Sequence, residues 1–189
     1  MNLPPQVPPK GRLVYVMGPS GAGKDTLLGY ARDRLSGSRV IFAHRYITRE
    51  AGAGGENHIY LSHEEFGIRA ELGLFVLQWS SHGLRYGIGI EIEEWMDRGF
   101  TVVVNGSREY LQQAVARYPT LAAVHIDARP EVLAARLASR GRETLDEVHA
   151  RLARRVPLAV PAQVALATID NSGEIEEAGR ALLEVLAAE

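Results

Sequence analysis

Apolar positions along the chain fall into two patterns, short unbroken runs and longer stretches in which they recur every three to four residues. Leu13-Val14-Tyr15-Val16-Met17 is the first run and predicts a buried strand. After it, Thr26 to Ala31 has helical spacing, with Leu27, Ala31 and Leu35 on one face, and Ser36-Gly37-Ser38 ends the helix before the run Arg39 to Ala43. Phe100 to Val104 and Leu121 to Ile126 predict further strands, and Val164 to Ile169 a weaker one. Between these, Glu91 to Arg98 turns Ile92, Trp95 and Met96 inward and stops at Gly99, and a helix starts at Pro130. Ile175, Ala178, Leu182, Val185 and Leu186 mark a C-terminal amphipathic helix. This alternation predicts an α/β fold, a parallel sheet covered by helices on both faces, with ligands at the carboxyl ends of the strands.

The stretch from about residue 45 to 89 breaks the rhythm, being rich in glycine and polar residues, with Leu74 to Leu77 its main apolar piece. It reads as an inserted substrate-binding lobe. His44, Arg45, Arg49, His58, His63, Arg69, His82 and Arg85 give this region a density of cationic groups suited to a small anionic substrate. His63 and Arg69 lie beside Glu64, Glu65 and Glu71 and are expected to pair along a helix instead. The histidine spacing is not that of a metal site. A second arginine-rich stretch, from about residue 136 to 155, reads as a lid whose closure excludes water and brings cations to a transferring phosphoryl group. Arg140 and Arg142, flanking Gly141, are its catalytic candidates, while Arg136 and Arg155 stay open between a lid role and an ordinary surface one.

The chemistry centres on Gly18-Pro19-Ser20-Gly21-Ala22-Gly23-Lys24, set between the first strand and the first helix. The spacing is that of a Walker A phosphate loop, in which glycines let backbone N–H groups curl around a phosphate and the lysine reaches the outer phosphates. Gly18 through Thr26 therefore form the expected ATP-binding set, with Lys24 as phosphate clamp. Where the pattern asks for a Ser or Thr hydroxyl on Mg²⁺, the chain has Asp25, with Thr26 one place later. A carboxylate beside a triphosphate requires a cation between them, so Asp25 is the candidate metal ligand, directly or through water. Asn105 stands where a Walker B acid would end its strand.

Composition narrows the picture further. The 189 residues, 46% of them hydrophobic, suffice for one domain with a substantial core. A net charge of −2 with scattered basic residues gives no footprint for nucleic acid or an anionic membrane. Only Lys10 and Lys24 are lysines among 21 basic residues, which singles out Lys24. The chain has no cysteine, so thiolate chemistry is excluded and the cytoplasm is the default compartment. Met1 to Lys10 is too proline-rich and polar for a signal peptide and reads as a loose tail. Oligomeric state is not legible here.

The phosphate loop, Tyr86-Gly87-Ile88, the turn from Arg136 to Gly141 and the terminal Asp170-Asn171 together resemble the guanylate kinase fold over nearly the whole chain. Guanylate kinases have a threonine and two spaced arginines before a Gly-Glu pair; this chain has Thr48-Arg49, then Gly52 in place of the second arginine, then Gly55-Glu56-Asn57-His58. The guanine-reading pattern is lost. Gly23-Lys24-Asp25, His44 to Arg49, Gly55 to His58, Tyr86 to Gly89, Val104 to Arg108 and Arg140 to Glu143 instead resemble the ribose 1,5-bisphosphate phosphokinases. That resemblance implies Mg²⁺-dependent transfer of the ATP γ-phosphoryl group to the 1-phosphate of ribose 1,5-bisphosphate, giving 5-phosphoribosyl 1-diphosphate in bacterial phosphonate breakdown. It implies Asn171 in the ATP set, and His44, Arg45, Arg49, Asn57, His58, Arg85, Tyr86 and Arg108 around the sugar phosphate. The competing expectations are a nucleoside monophosphate kinase and a guanylate-kinase-like binding module without activity; such modules commonly lose the phosphate loop, which this chain keeps.

Overall fold

The computed structural model describes residues 10–50, 58–139 and 158–188. They divide into two compact units, one running to Leu13 and then from Gly37 to Val104, the other comprising Val14–Ser36 and the chain from Asn105 onward. Asn57, Arg140, Arg142, Arg155 and the tail before Lys10, each given a role in the sequence reading, lie outside the described residues.

The second unit is built on three parallel strands, β1 (Leu13–Met17), β8 (Ala122–Asp127) and β9 (Ala165–Asp170). Val14 pairs with Ala122 and Met17 with His125, while β8 and β9 run in register from Ala122 opposite Ala165 to Asp127 opposite Asp170. All five residues of β1 are buried, as expected of a central parallel strand covered on both faces. In β9 only Ile169 is fully buried, which is why its run reads weakly. Helix α1 (Lys24–Arg34) follows the phosphate loop and buries Leu27, Leu28 and Ala31; Leu35 is its C-cap. Helices α4 (Leu111–Arg117) and α5 (Pro130–Ala138) come next, α5 opening on proline, whose missing N–H would have no helical partner at that position anyway. Helix α6 (Ile175–Ala187) turns Ala178, Leu182 and Leu186 inward.

In the first unit, β2 (Val40–Phe42) pairs in parallel with β7 (Thr101–Asn105), Val40 opposite Thr101. A separate four-stranded sheet has the order β4 (Ile59–Tyr60), β3 (Arg45–Ile47), β6 (Leu84–Gly89), β5 (Phe75–Ser81). Strands β5 and β6 form a hairpin closed by His82-Gly83, both with positive φ (49° and 75°), the handedness that matches strand twist. Helix α2 (His63–Glu71) is capped by Ser62, whose hydroxyl accepts the Glu65 N–H at 3.0 Å, and it buries Phe66. Arg69 pairs with Glu65 at 2.8 Å, as their spacing predicts. Helix α3 (Glu91–Asp97) turns Ile92 and Met96 inward, leaves Trp95 half-buried and ends at Gly99.

Candidate active site

Strand β1 delivers the chain into a tight turn in which the Ala22 N–H donates to Pro19 O at 3.2 Å, and α1 starts at Lys24. Gly23 is the N-cap, with φ 82° and no side-chain acceptor for the first helical N–H groups, which leaves them to an anion. A Cβ on Gly23 would stand 2.4 Å from Asn171 Nδ2, so glycine is required twice over, for its backbone angle and for this approach. Asn171, just beyond β9, is buried; its amide donates to Ala22 O at 2.7 Å and its N–H to Asp127 O at 2.7 Å. It holds the loop from behind. Lys24 Nζ lies over its own loop, donating to Gly18 O at 3.1 Å. Ser20, Asp25 and Thr26 are exposed.

Arg136 on α5 belongs to the same cluster. Its Nη1 is buried without a hydrogen-bond partner and lies 3.7 Å from where a Gly23 Cβ would be. A guanidinium beside a turn of backbone N–H groups is suited to phosphate oxygens. The signal was in the sequence: Leu133 and Leu137 face inward, so position 136 falls on the flank of the buried stripe and not on the outer face.

Asp25 and Asn105, 80 residues apart, meet directly. Asn105 ends β7, is 7% exposed, and its Nδ2 donates to Asp25 Oδ1 at 2.8 Å. Among the described residues no group of three or more His, Asp or Glu could hold a metal ion, so Mg²⁺ at Asp25 would take its remaining oxygens from phosphate and water, its usual habit with nucleotides. The loop after β7 is fixed by Tyr15, fully buried in β1: its hydroxyl accepts the Ser107 N–H and donates to Ser107 O, both at 2.9 Å. Gly106 lies against that ring, where a Cβ would come within 2.0 Å of Tyr15 Cζ. Arg108, half-buried, follows from this clamped turn.

The acceptor candidates of the first unit do not all share one surface. Successive strand residues point to opposite faces, and β3, β5 and β6 show the consequence. Ile47, Tyr86 and Trp79 pair across three strands, the Trp79 and Tyr86 rings stack at 5.4 Å, and the Arg45 guanidinium lies 5.2 Å over Tyr86. Arg85, one residue before Tyr86, lies 4.3 Å over the Phe66 ring of α2 on the other face. Arg45 and Tyr86 are thus together and Arg85 is apart. Arg49 and His58 meet, His58 Nε2 donating to Arg49 O at 2.9 Å, and His44 is exposed. Tyr46 shares the face of Phe66 and Phe75 and donates to Glu91 at 3.3 Å. Burial, and then the Glu91 carboxylate, push its phenol above the ordinary value, with Arg69 acting the other way.

No family model matches the chain. Among curated proteins, ribose 1,5-bisphosphate phosphokinase PhnN of Burkholderia pseudomallei (strain K96243) is 61% identical over 175 residues, 93% of this chain and 95% of that one. The protein of the same name from Thiobacillus denitrificans is 52% identical over 178 residues, 94% of this chain and 93% of that one. Among solved structures, guanylate kinase from Anaplasma phagocytophilum superposes with a TM-score of 0.68 at 17% identity, over 95% of this chain and 86% of that one. A sugar kinase from Janibacter sp. HTCC2649 gives 0.52 at 19% identity, over 95% of this chain and 99% of that one. At so low an identity these two speak for fold alone, and it is an α/β fold, as the alternating pattern predicts, in the guanylate-kinase-like form that the motif resemblance implies. The identity to the curated relatives, sustained over nearly the full length of each, decides the family: the chain is a kinase and belongs to the ribose 1,5-bisphosphate phosphokinases.

Proposed function

We propose that this chain transfers the γ-phosphoryl group of ATP to the 1-phosphate of ribose 1,5-bisphosphate, giving 5-phosphoribosyl 1-diphosphate and ADP, as a step of phosphonate breakdown. The observation that carries the proposal is the identity of 52–61% to kinases named for that substrate, in a chain that keeps an intact phosphate loop. An oxygen of the 1-phosphate forms the new bond to the γ phosphorus while the bond to the β,γ-bridging oxygen breaks, and its electron pair leaves with ADP. The acceptor needs no general base, because a phosphate monoester has a second pKa of about 6 and is already largely ionised at neutral pH.

The protein's part is alignment and charge. Lys24 and the N–H groups at the start of α1 hold the outer phosphates of ATP, with Gly18 to Gly23 and Thr26 around them and Asn171 keeping the loop in shape. Asp25 holds Mg²⁺ directly or through water; when bound, the ion neutralises charge on the phosphate oxygens. Arg136 and the arginines at 140 and 142 steady the moving group. Arg45 with Tyr86, Arg49 with His58, and Arg108 bind the two anionic ends of the acceptor and His44 and Asn57 complete the set, while Arg85, on the other face of its sheet, acts apart from them. Purified protein given Mg²⁺-ATP and ribose 1,5-bisphosphate should release one ADP per acceptor consumed and yield a coupled diphosphate pair in the phosphorus NMR spectrum. Inorganic phosphate appearing in place of that pair would mean hydrolysis and remove the transfer reading.

A further inference from the structure

In P-loop kinases the residue after the loop lysine is a neutral hydroxyl and the acid stands at the end of a neighbouring strand, and the two share the cation. Here the two chemistries are exchanged. The acid, Asp25, is on α1 and the neutral group, Asn105, ends β7. The bond between them is made all the same, Nδ2 to Oδ1 at 2.8 Å. Its direction is dictated by chemistry: an ionised carboxylate can only accept, so the amide must present nitrogen to Asp25. That turns Asn105 Oδ1 the other way, where it is buried with no partner among the described residues, in a residue only 7% exposed. A buried carbonyl oxygen left so is costly unless a ligand supplies a donor. Asp25 Oδ2 has no partner among the described residues either.

We propose that Asn105 is a positioning residue for the metal site: it fixes the Asp25 carboxylate through Oδ1, leaves Oδ2 for the cation, and offers its own Oδ1 to a water carried by that cation. The inference rests on the reading of Asp25 as the metal ligand. It makes Asp25 and Asn105 one unit, the mirror image of the usual pair, in which exchanging the two chemistries restores function that either loss destroys.

The experiment is a Mg²⁺ titration of the full chain saturated with a non-hydrolysable ATP analogue, followed by calorimetry, with analogue affinity in the absence of metal as the measure of an intact loop. Asp25→Ser should raise the Mg²⁺ midpoint more than tenfold, and Asn105→Ala should raise it about tenfold, the usual cost of losing an outer-sphere partner of a metal ligand. Without metal, Asn105→Ala should bind the analogue as the parent does, and Asp25→Ser, having lost a carboxylate beside the phosphates, at least as tightly. The exchange variant Asp25→Ser/Asn105→Asp should return to within about threefold of the parent, a coupling that independent sites do not show. A Mg²⁺ midpoint unmoved by Asp25→Ser would overturn the reading of Asp25 itself. A midpoint moved by Asp25→Ser but unmoved by Asn105→Ala, or an exchange variant no better than Asp25→Ser, would overturn the positioning role alone. Because Asn105→Asp preserves side-chain size, a folding failure of Asn105→Ala leaves the exchange variant to decide.

Discussion

At the scale of single residues, Lys24 and Asn171 serve the phosphate loop in different ways. Lys24 is half-buried and stands outside the apolar core, with Nζ donating to Gly18 O of its own loop. Lys24→Ala should therefore lower kcat on the order of 10³-fold, the scale of losing one fixed cation or donor at a transition state, with the circular dichroism spectrum unchanged. Near-parental turnover in this variant is incompatible with a phosphate clamp. Asn171 differs, because it is buried and its amide is donated to Ala22 O. Asn171→Ala should cost about 1–3 kcal/mol of stability as well as weakening ATP binding; a variant as stable as the parent would show that the loop needs no such support. The first expectation follows from the spacing of the loop, the second from a distance that no sequence spacing displays. The order strand, glycine turn, lysine, helix identified the loop, but nothing in it showed that residue 171 reaches residue 22, that Asn105 reaches Asp25, or that Arg136 borders Gly23.

What was legible at the scale of elements depends on how completely each element is covered. Strands β1, β7 and β8 are buried on both faces and read as unbroken apolar runs. Strand β6 mixes Arg85 and Tyr86 with glycines and is half-buried along its first three residues, so its period was hidden and both side chains were assigned to one substrate set. The observed alternation separates them. In a double-mutant cycle on sugar phosphate affinity, Arg45→Ala and Tyr86→Leu should be non-additive, since the guanidinium lies over that ring, whereas Arg45→Ala and Arg85→Ala should add. The clamp on the loop after β7 gives a second expectation. Tyr15→Phe keeps the ring against Gly106 but forfeits both bonds to Ser107, so it should destabilise by about 1–3 kcal/mol in chemical denaturation. Tyr46 adds a pH dependence. With its phenol held above the ordinary value, the folded state keeps a proton that the unfolded chain loses near pH 10, so stability from this group is complete below that pH and declines as pH rises toward the folded value. The stability gap between the parent and Tyr46→Phe should narrow above pH 10; a constant gap would contradict the shift.

For the whole molecule, the fold was readable from the succession of strands and helices and the family from ordered motifs, both ultimately because phosphate binding fixes backbone geometry tightly enough to fix sequence. The acceptor was legible only through the ordered motifs that resemble the ribose 1,5-bisphosphate phosphokinases; the cationic groups between residues 44 and 85 pointed no further than to a small anionic substrate. No helix among the described residues is long and apolar enough to cross a membrane. The central claim, that the accepting group is a sugar phosphate, is tested by measuring kcat/KM with Mg²⁺-ATP and three acceptors side by side: ribose 1,5-bisphosphate, ribose 5-phosphate and GMP. A site built to pair with two phosphates leaves cations unmatched when one is missing, and such sites reject the deficient analogue by on the order of 10⁴-fold. Ribose 1,5-bisphosphate should therefore exceed both others by about that factor. GMP as the preferred acceptor would contradict the account and return the chain to nucleotide phosphorylation.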